Sequence, residues 1–162
     1  MKNKIKILFL CTGNSCRSQM AEGWTRALKG NEFEPYSAGI KTHGLNEHAV
    51  KVMQESGVDI SKQKSQHIDE FNNIDLDYII TVCDHANETC PLTTHNCIIK
   101  HVGFEDPPVL AAALSSNGAS QEEQLEPYRL VRDQIRNFIE TLPDSLSATS
   151  FDGDCSTCSG CE

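Results

Sequence analysis

An apolar run, Ile5-Lys6-Ile7-Leu8-Phe9-Leu10, leads directly into a polar loop, Cys11-Thr12-Gly13-Asn14-Ser15-Cys16-Arg17-Ser18. The apolar run predicts a buried strand, and the helical spacing of Met20, Trp24 and Leu28 predicts a helix over residues 18–29. A loop between a strand and a helix start directs backbone N–H groups at its centre, where they attract an anion. The segment therefore predicts a cradle for a tetrahedral oxyanion, with a thiol at its base.

Three side chains of this loop have a predicted chemical role. The field of the loop favours the thiolate form of Cys11, which is the nucleophilic form of a cysteine. Arg17 can hold two oxygens of the anion with its planar guanidinium, and Ser18 can hydrogen-bond the thiolate. The residues expected to bind the oxyanion are Thr12, Gly13, Asn14, Ser15, Cys16 and Arg17. The structural alternative is a glycine-containing turn with a buried cysteine and no ligand.

Composition narrows the class of function. The chain has 162 residues, enough for one domain with a hydrophobic core, and shows no signal peptide or membrane span. We therefore expect a cytoplasmic protein, in which eight cysteines indicate catalysis, redox chemistry or metal binding rather than structural disulfides. The net charge of −9 disfavours nucleic acid and anionic membranes as partners. The six histidines lack metal-ligand spacing and are interpreted as structural or surface residues. We expect a monomer with no resident metal and no cofactor.

The hydrophobic pattern alternates between strands and helices. Strands are predicted over residues 4–10, 34–38, 78–82 and 97–102, and helices over 18–29, near 45–57 and up to 142, with a capping box at 120–123 and a break near Pro127. This order is typical of an α/β three-layer sandwich with a central four-stranded parallel sheet. The predicted domain covers residues 1–142. Residues 143–154 are predicted to be a linker within a flexible tail, 143–162.

Catalytic residues in a parallel sheet lie beyond the carboxyl ends of its strands. Cys11, Cys83 and the loop Gly103-Phe104-Glu105-Asp106-Pro107 each follow a predicted strand, so we expect them to meet at one edge. A carboxylic acid at Asp106 can protonate an oxygen that leaves a tetrahedral oxyanion. Asp-Pro is also a common turn dipeptide, which is the structural alternative for Asp106.

Two further cysteines, Cys83 and Cys90, lie seven positions apart after the third predicted strand. An intact helix would separate their Cα atoms by about 10 Å, whereas a disulfide needs about 7 Å or less. If the two cysteines pair, the segment has to loop or unwind. We therefore hypothesise a redox switch, helical when reduced and looped when oxidised. The alternative is two unrelated core thiols.

The loop from Cys11 to Glu22 resembles that of the thioredoxin-coupled arsenate reductases, which share the fold of the low-molecular-weight tyrosine phosphatases. Further matching segments are Ser37-Ala38-Gly39, His43-Gly44-Leu45-Asn46, Val82-Cys83-Asp84, Cys90-Pro91 and Gly103-Phe104-Glu105-Asp106-Pro107-Pro108. The resemblance covers residues 4–142. The loop alone fits a phosphatase or a reductase, whereas the spacing of Cys83 and Cys90 is specific for the reductases.

The resemblance implies a relay of three thiols. Cys11 attacks arsenate held by the loop and Arg17, with Asp106 as general acid for the departing oxygen. Cys83 then attacks the sulfur of the Cys11–arsenic adduct, and arsenite leaves with the electron pair. Cys90 attacks the Cys11–Cys83 disulfide, and thioredoxin reduces the resulting Cys83–Cys90 disulfide. Arsenate as substrate and thioredoxin as reductant are the expected partners.

Some members of this family bind a potassium ion near the loop through an Asn, a Glu, a Ser and a further carboxylate. Asn14, Glu22 and Ser37 match three of these ligands. Gln66 stands at the position of the carboxylate, so potassium dependence is left open.

The chain ends in Cys155-x-x-Cys158-x-x-Cys161, which lies outside the family's usual extent. Three interpretations stay open for these thiols. They belong to a segment with little function, they bind a soft ion or arsenite through thiolates, or they act as a tethered dithiol that reduces the Cys83–Cys90 bond.

Two other functions are kept as alternatives. A low-molecular-weight protein tyrosine phosphatase would use the same Cys11, Arg17 and Asp106. Such phosphatases usually follow Asp-Pro with an aromatic residue that stacks on the substrate, where this chain has Pro108. A thiol-rich metalloid-binding protein would be centred on the tail and would not need Cys11.

Overall fold

Four parallel strands form the centre of the protein in a computed structural model that describes residues 3–83 and 97–147. The strands are β1 (Ile5–Cys11), β2 (Phe33–Gly39), β3 (Tyr78–Thr81) and β4 (Ile98–His101). Their order in the sheet is β2-β1-β3-β4, and every neighbouring pair is parallel. The predicted α/β fold with a four-stranded parallel sheet is confirmed.

Helices pack around this sheet. They are α1 (Arg17–Lys29), α2 (Glu47–Glu55), α3 (Pro107–Ser116), α4 (Gln121–Gln124), α5 (Glu126–Glu140) and α6 (Asp144–Ser147), with a 3-10 helix at Ile68–Phe71. α1 packs against α5 and β2, and α5 also packs against α2 and α3. The predicted capping box is present, because Ser120 and Glu123 exchange hydrogen bonds between side chain and backbone. None of the described helices is long and apolar enough to cross a membrane.

β1 lies in the middle of the hydrophobic core. Its residues Ile7, Leu8, Phe9 and Leu10 are all fully buried, because a central parallel strand is covered on both faces. The core residues supplied by α1 and α5 include Met20, Trp24, Val131, Ile135 and Ile139. Burial of each large aliphatic side chain contributes about 1.5–3 kcal/mol. The polar loop therefore extends from a firmly held strand.

The hydrophobic pattern of the sequence does not predict α3. Its residues are apolar on several sides of the helix, and only Pro107 and Ala111 are buried, while Val109 is 63% exposed. No single apolar face therefore marks this helix in the sequence. Pro107 in the first turn, directly after Asp106, is a start signal that points to it.

The segment after Leu142 also differs from the prediction. A linker is expected from residue 143, but α6 occupies Asp144–Ser147, and Leu146 is only 5% exposed among the core residues. The linker prediction is corrected to begin after this helix. The rest of the predicted tail, with Cys155, Cys158 and Cys161, lies outside the described residues.

Candidate active site

The loop between β1 and α1 turns its carbonyl groups outward. The carbonyls of Cys11, Thr12, Gly13 and Ser15 accept hydrogen bonds from the backbone of the following segment. The donors, in the same order, are Ile40 at 3.2 Å and Lys41, His43 and Asn46 at 2.9 Å each. In the described part of the chain, no backbone N–H of residues 12–16 donates to a protein acceptor. These N–H groups are therefore available to an anion, as the predicted cradle requires.

Asn14 sets the turn of the loop and orients Ser18. Its φ of 48° lies in the left-handed region, which asparagine tolerates better than most residues. Asn14 Oδ1 accepts hydrogen bonds from the backbone N–H of Gln66 at 2.6 Å and from Gln19 Nε2 at 3.2 Å. The amide is thus fixed so that Nδ2 donates to Ser18 Oγ at 2.9 Å. Because Ser18 Oγ accepts this bond, its own hydrogen is available to Cys11 Sγ, 3.0 Å away. The arrangement directs the Ser18 hydroxyl at the Cys11 sulfur.

A pocket of about 460 Å³ opens above the loop. The residues that line it include Cys11, Cys16, Arg17, His43, Asn46 and Asp106. Arg17 Nη1 donates to the carbonyl of Phe104 at 2.9 Å, and Arg17 Nη2 lies 3.6 Å from Asp106 Oδ2. Asp106 precedes α3 but makes no capping hydrogen bond to it. Its carboxyl group is directed at Arg17 and the pocket instead, where it is 41% exposed.

Cys83 reaches the site from the neighbouring strand. The backbone N–H of Val82 donates to the carbonyl of Leu10 at 2.9 Å, which places the end of β3 beside the end of β1. The Cys83 thiol is buried and free, and its sulfur lies 3.2 Å from Thr12 Oγ1. The structure thus brings Cys83 to the loop that begins at Cys11. Cys90 lies outside the described residues, so its part in a relay stays a prediction.

The thiol of Cys16 stays protonated, whereas a nucleophilic cysteine is a thiolate. Cys16 is 3% exposed, and burial, together with the nearby charge of Cys11, raises the pKa of Cys16 well above its ordinary value. Cys16 therefore stays a neutral thiol at neutral pH. Cys16 is therefore not a candidate nucleophile of this loop.

Residues 40–46 belong to the site, although the sequence analysis does not assign them to it. They follow β2, which is the other neighbour of β1 in the sheet, so the argument from strand ends could have found them. His43, interpreted from the sequence as a structural or surface residue, is exposed but also lines the pocket. Asn46 caps α2 through Oδ1, and its Nδ2 donates to Tyr128 Oη at 3.3 Å.

The residues that match potassium ligands are engaged with protein groups. Ser37 Oγ donates to Glu22 Oε1 at 2.6 Å, and Arg26 Nη2 lies 2.6 Å from Glu22 Oε2. Arg26 thus supplies the positive charge that the Glu22 carboxylate requires. Gln66 contributes a backbone N–H to Asn14 in place of a carboxylate. This set does not fit a potassium ion, and no potassium enters the mechanism.

Comparison with known proteins matches the chain to a family model and to relatives that agree with each other. The family model described as "Low molecular weight phosphotyrosine protein phosphatase" matches residues 6–149. An arsenate reductase of Halalkalibacterium halodurans is 46% identical over 143 residues, which cover 88% of this chain and 98% of that protein. An arsenate reductase of Bacillus subtilis is 46% identical over 147 residues, which cover 90% of this chain and 99% of that protein.

Solved structures agree with these relatives. A structure described as an arsenate reductase in the phosphate binding state has a TM-score of 0.69 and 34% identity, and the match covers 88% of this chain and 99% of that one. A low molecular weight protein tyrosine phosphatase from T. tengcongensis has a TM-score of 0.67 and 26% identity, with the same coverage. The chain therefore belongs to the low molecular weight phosphotyrosine protein phosphatase family and, within it, groups with the arsenate reductases.

Proposed function

We propose that the protein reduces arsenate to arsenite, with Cys11 as the attacking thiol and Cys83 as the second thiol. The observation that carries this proposal is the 3.2 Å distance between Cys83 Sγ and Thr12 Oγ1, which puts a second thiol at the oxyanion loop. A phosphatase of this kind needs one nucleophilic thiol. Reduction of arsenic(V) to arsenic(III) by thiols needs two, because two sulfur atoms must give up an electron pair as they form a disulfide.

The first step is capture and attack. The loop N–H groups and Arg17 hold the arsenate oxygens, and the Cys11 thiolate forms a sulfur–arsenic bond. The hydroxyl oxygen of the singly protonated arsenate takes a second proton, from Asp106, and leaves as water. The distance of 3.6 Å between Arg17 Nη2 and Asp106 Oδ2 supports this pairing of roles, because the two side chains are neighbours. Arsenic stays in the +5 state in this step.

The second step is the reduction itself. The Cys83 thiolate attacks the sulfur of Cys11, so that a disulfide forms and the sulfur–arsenic bond breaks. The electron pair of that bond goes to arsenic, which leaves as arsenite in the +3 state. Two sulfur atoms are oxidised and one arsenic atom is reduced by two electrons. The Thr12 hydroxyl positions the Cys83 sulfur for this attack.

The third step regenerates the free Cys11 thiol, and we infer it from the resemblance of the sequence to the thioredoxin-coupled arsenate reductases. Cys90 attacks the sulfur of Cys83 in the Cys11–Cys83 disulfide, which frees Cys11 and leaves a Cys83–Cys90 disulfide. Thioredoxin supplies the two electrons that reduce this bond. Because free thiols are needed at each turn, we place the protein in a reducing compartment, the cytoplasm.

A phosphatase activity is the second candidate, since Cys11, Arg17 and Asp106 line one pocket and the family model is that of a phosphatase. The wall of this pocket argues against an aromatic phosphoester. Pro108 lines it directly after Asp106-Pro107, and none of the described residues that line it is Phe, Tyr or Trp. A phosphotyrosine ring thus has no stacking partner among them. We expect phosphatase activity to be weak next to arsenate reduction.

The test is arsenate-dependent oxidation of NADPH in the presence of thioredoxin and thioredoxin reductase. We compare the wild type with Cys11→Ser, Cys83→Ser and Cys90→Ser, and use Cys97→Ser as a matched control that removes a cysteine elsewhere. Turnover is expected in the wild type and in the control only. Wild-type inactivity in this assay would overturn thioredoxin-coupled arsenate reduction, and absence of arsenite release in a single turnover would overturn arsenate reduction itself.

The single variants separate the steps. Cys83→Ser is expected to form the Cys11–arsenic adduct without releasing arsenite. Cys90→Ser is expected to release one arsenite per chain and then to stop. Sustained turnover of Cys90→Ser with thioredoxin would refute the third thiol while leaving Cys11 and Cys83 in place.

A further inference from the structure

The side chain of His43 lies directly over the oxyanion loop. A Cβ atom placed on Gly13 would come within 2.4 Å of His43 Nδ1 and 2.9 Å of its Cγ. The backbone N–H of His43 also donates to the carbonyl of Gly13 at 2.9 Å. The lack of a side chain at Gly13 is therefore what lets the imidazole pack against the backbone of the loop.

The imidazole of His43 packs against Gly13, yet its nitrogens have no hydrogen-bond partner in the described part of the chain. Hydrogen bonds from Lys41 to Thr12 and from Asn46 to Ser15 anchor the segment on both sides of His43. In residues 3–83 and 97–147, the ring of His43 makes no hydrogen bond, ion pair or aromatic contact. The side chain is exposed and lines the pocket. A ring N–H beside Gly13 is thus available to a ligand.

The direction of attack indicates which oxygen of the anion faces His43. Cys11 lines the pocket and is 3% exposed, so in-line attack by its sulfur turns one oxygen of the anion away from sulfur and towards solvent. The loop N–H groups and Arg17 serve the three oxygens nearer the base. In arsenate or inorganic phosphate the outer oxygen carries at most a proton. In a phosphate ester the same oxygen carries a carbon atom.

We propose that His43 is a substrate-binding residue that selects a bare tetrahedral oxyanion over an oxyanion ester. Its ring N–H donates a hydrogen bond to the outer oxygen, and the ring fills the space that an ester carbon would need. The inference rests on the proposed function only for the identity of the natural anion. The selection itself belongs to the pocket and applies to phosphate as well.

The test measures binding of inorganic phosphate, because this involves no redox step. Phosphate in the pocket shields Cys11 from iodoacetamide, and the concentration that halves the alkylation rate gives the Kd. Mass spectrometry of the full chain, digested after the reaction, reports alkylation at Cys11 itself. The same measurement with methyl phosphate gives the Kd of an ester.

Three variants of His43 separate the effect of its hydrogen-bond donor from the effect of the bulk of its ring. His43→Phe keeps a ring and loses the donor, so we expect its phosphate Kd to rise about tenfold. His43→Gln keeps a donor, so it is expected to retain most of the phosphate affinity. His43→Ala loses both, so the ratio of the methyl phosphate Kd to the phosphate Kd is expected to fall about tenfold. His48→Gln, which alters an exposed histidine of α2 outside the pocket lining, is the matched control.

An unchanged phosphate Kd in His43→Phe would overturn the hydrogen bond, and an unchanged Kd ratio in His43→Ala would overturn the selection. Equal weakening of both ligands in every variant would also overturn it, because that pattern indicates a damaged loop. Arsenate turnover is scored separately. If the wild type does not reduce arsenate but the Kd pattern holds, the proposed function fails and the role of His43 stands. If turnover is present but the Kd pattern is missing, the role of His43 fails alone.

Discussion

The hydroxyl oxygen of Thr12 lies 3.2 Å from the sulfur of Cys83, across two neighbouring strands of the sheet. Thr12 is the first residue after β1, and Cys83 is the second residue after β3. The contact therefore depends on the parallel pairing of the two strands, which makes their carboxyl ends coincide. It links the residue next to Cys11, the proposed nucleophile, with the proposed second thiol.

Replacement of Thr12 by valine tests this link. Thr12→Val keeps the shape of the side chain and removes the hydroxyl, so the Cys83 sulfur loses its hydrogen-bond partner. We expect arsenite release in a single turnover without thioredoxin to slow about tenfold, while alkylation of Cys11 by iodoacetamide is unchanged. Rapid-quench measurement of arsenite checks this. Thr25→Val, which removes a buried hydroxyl that bonds the carbonyl of Ala21 instead, is the control, and equal release rates in both variants would contradict the role of Thr12.

The second prediction concerns the hydrogen bonds from Asn14 to Ser18 and from Ser18 to Cys11, and their effect on the reactivity of Cys11. Ser18→Ala removes the donor to the sulfur, so the rate of Cys11 alkylation at neutral pH is expected to fall about tenfold or more, because hydrogen bonds to charged groups are the stronger ones. Asn14→Gly tolerates the φ of 48° and removes the amide that orients Ser18, so a smaller fall is expected.

The control for this pair is Thr25→Val. Thr25 lies on the same helix as Ser18, and its buried hydroxyl donates to the carbonyl of Ala21 at 2.7 Å, away from the loop. Alkylation of Cys11 is expected to be unchanged in this variant. Wild-type alkylation rates in both Ser18→Ala and Asn14→Gly would show that the two side chains do not act on the sulfur.

Because of Cys16, the stability of the folded protein is expected to fall as the pH rises into the alkaline range. Burial raises the pKa of Cys16 in the folded protein above its ordinary value of 9.0, so above that pH the unfolded chain loses the proton first. The folded state then binds more protons than the unfolded state, and stability falls as pH rises. The free energy of unfolding therefore falls further with each pH unit above the ordinary value.

The measurement is Tm as a function of pH for the wild type and Cys16→Ser, which has no thiol to ionise. We expect the wild type to lose Tm more steeply than Cys16→Ser above pH 9, and the two curves to run in parallel between pH 6 and pH 8. Cys97→Ser controls for removal of a cysteine elsewhere in the chain. Parallel curves up to pH 10 would contradict the raised pKa.

Local features of the sequence predict the loop and the sheet well. The run from Ile5 to Ser18 contains in one segment a buried strand, the nucleophile, the arginine and a helix start, and each has a residue pattern of its own. Asp106 is also predictable, because strand ends converge in a parallel sheet. α3 is not predicted because its apolar residues form no single face.

The rest of the site is made by contacts that leave no pattern in composition. Residues 40–46 hold the loop through backbone N–H groups, which every residue other than proline possesses. The hydrogen bond from Gln66 to Asn14 also starts at a backbone N–H, so the type of residue at position 66 does not reveal it. Such contacts depend on the path of the chain in space, and the path follows from the packing of distant segments.

The last prediction concerns the contribution of α6 to stability, because this helix extends the core beyond residue 142. Leu146 is 5% exposed, so Leu146→Ala is expected to lower the free energy of unfolding by about 2–4 kcal/mol. A chain that ends after Leu142 loses the same side chain and is expected to lose at least as much, whereas a chain that ends after Ser147 keeps the wild-type value. Urea unfolding of the three proteins measures these differences. Leu130→Ala, at a residue 52% exposed, is the control and is expected to change stability by no more than about 0.5 kcal/mol. Equal stability of the chains that end after Leu142 and after Ser147 would show that α6 adds nothing to the core.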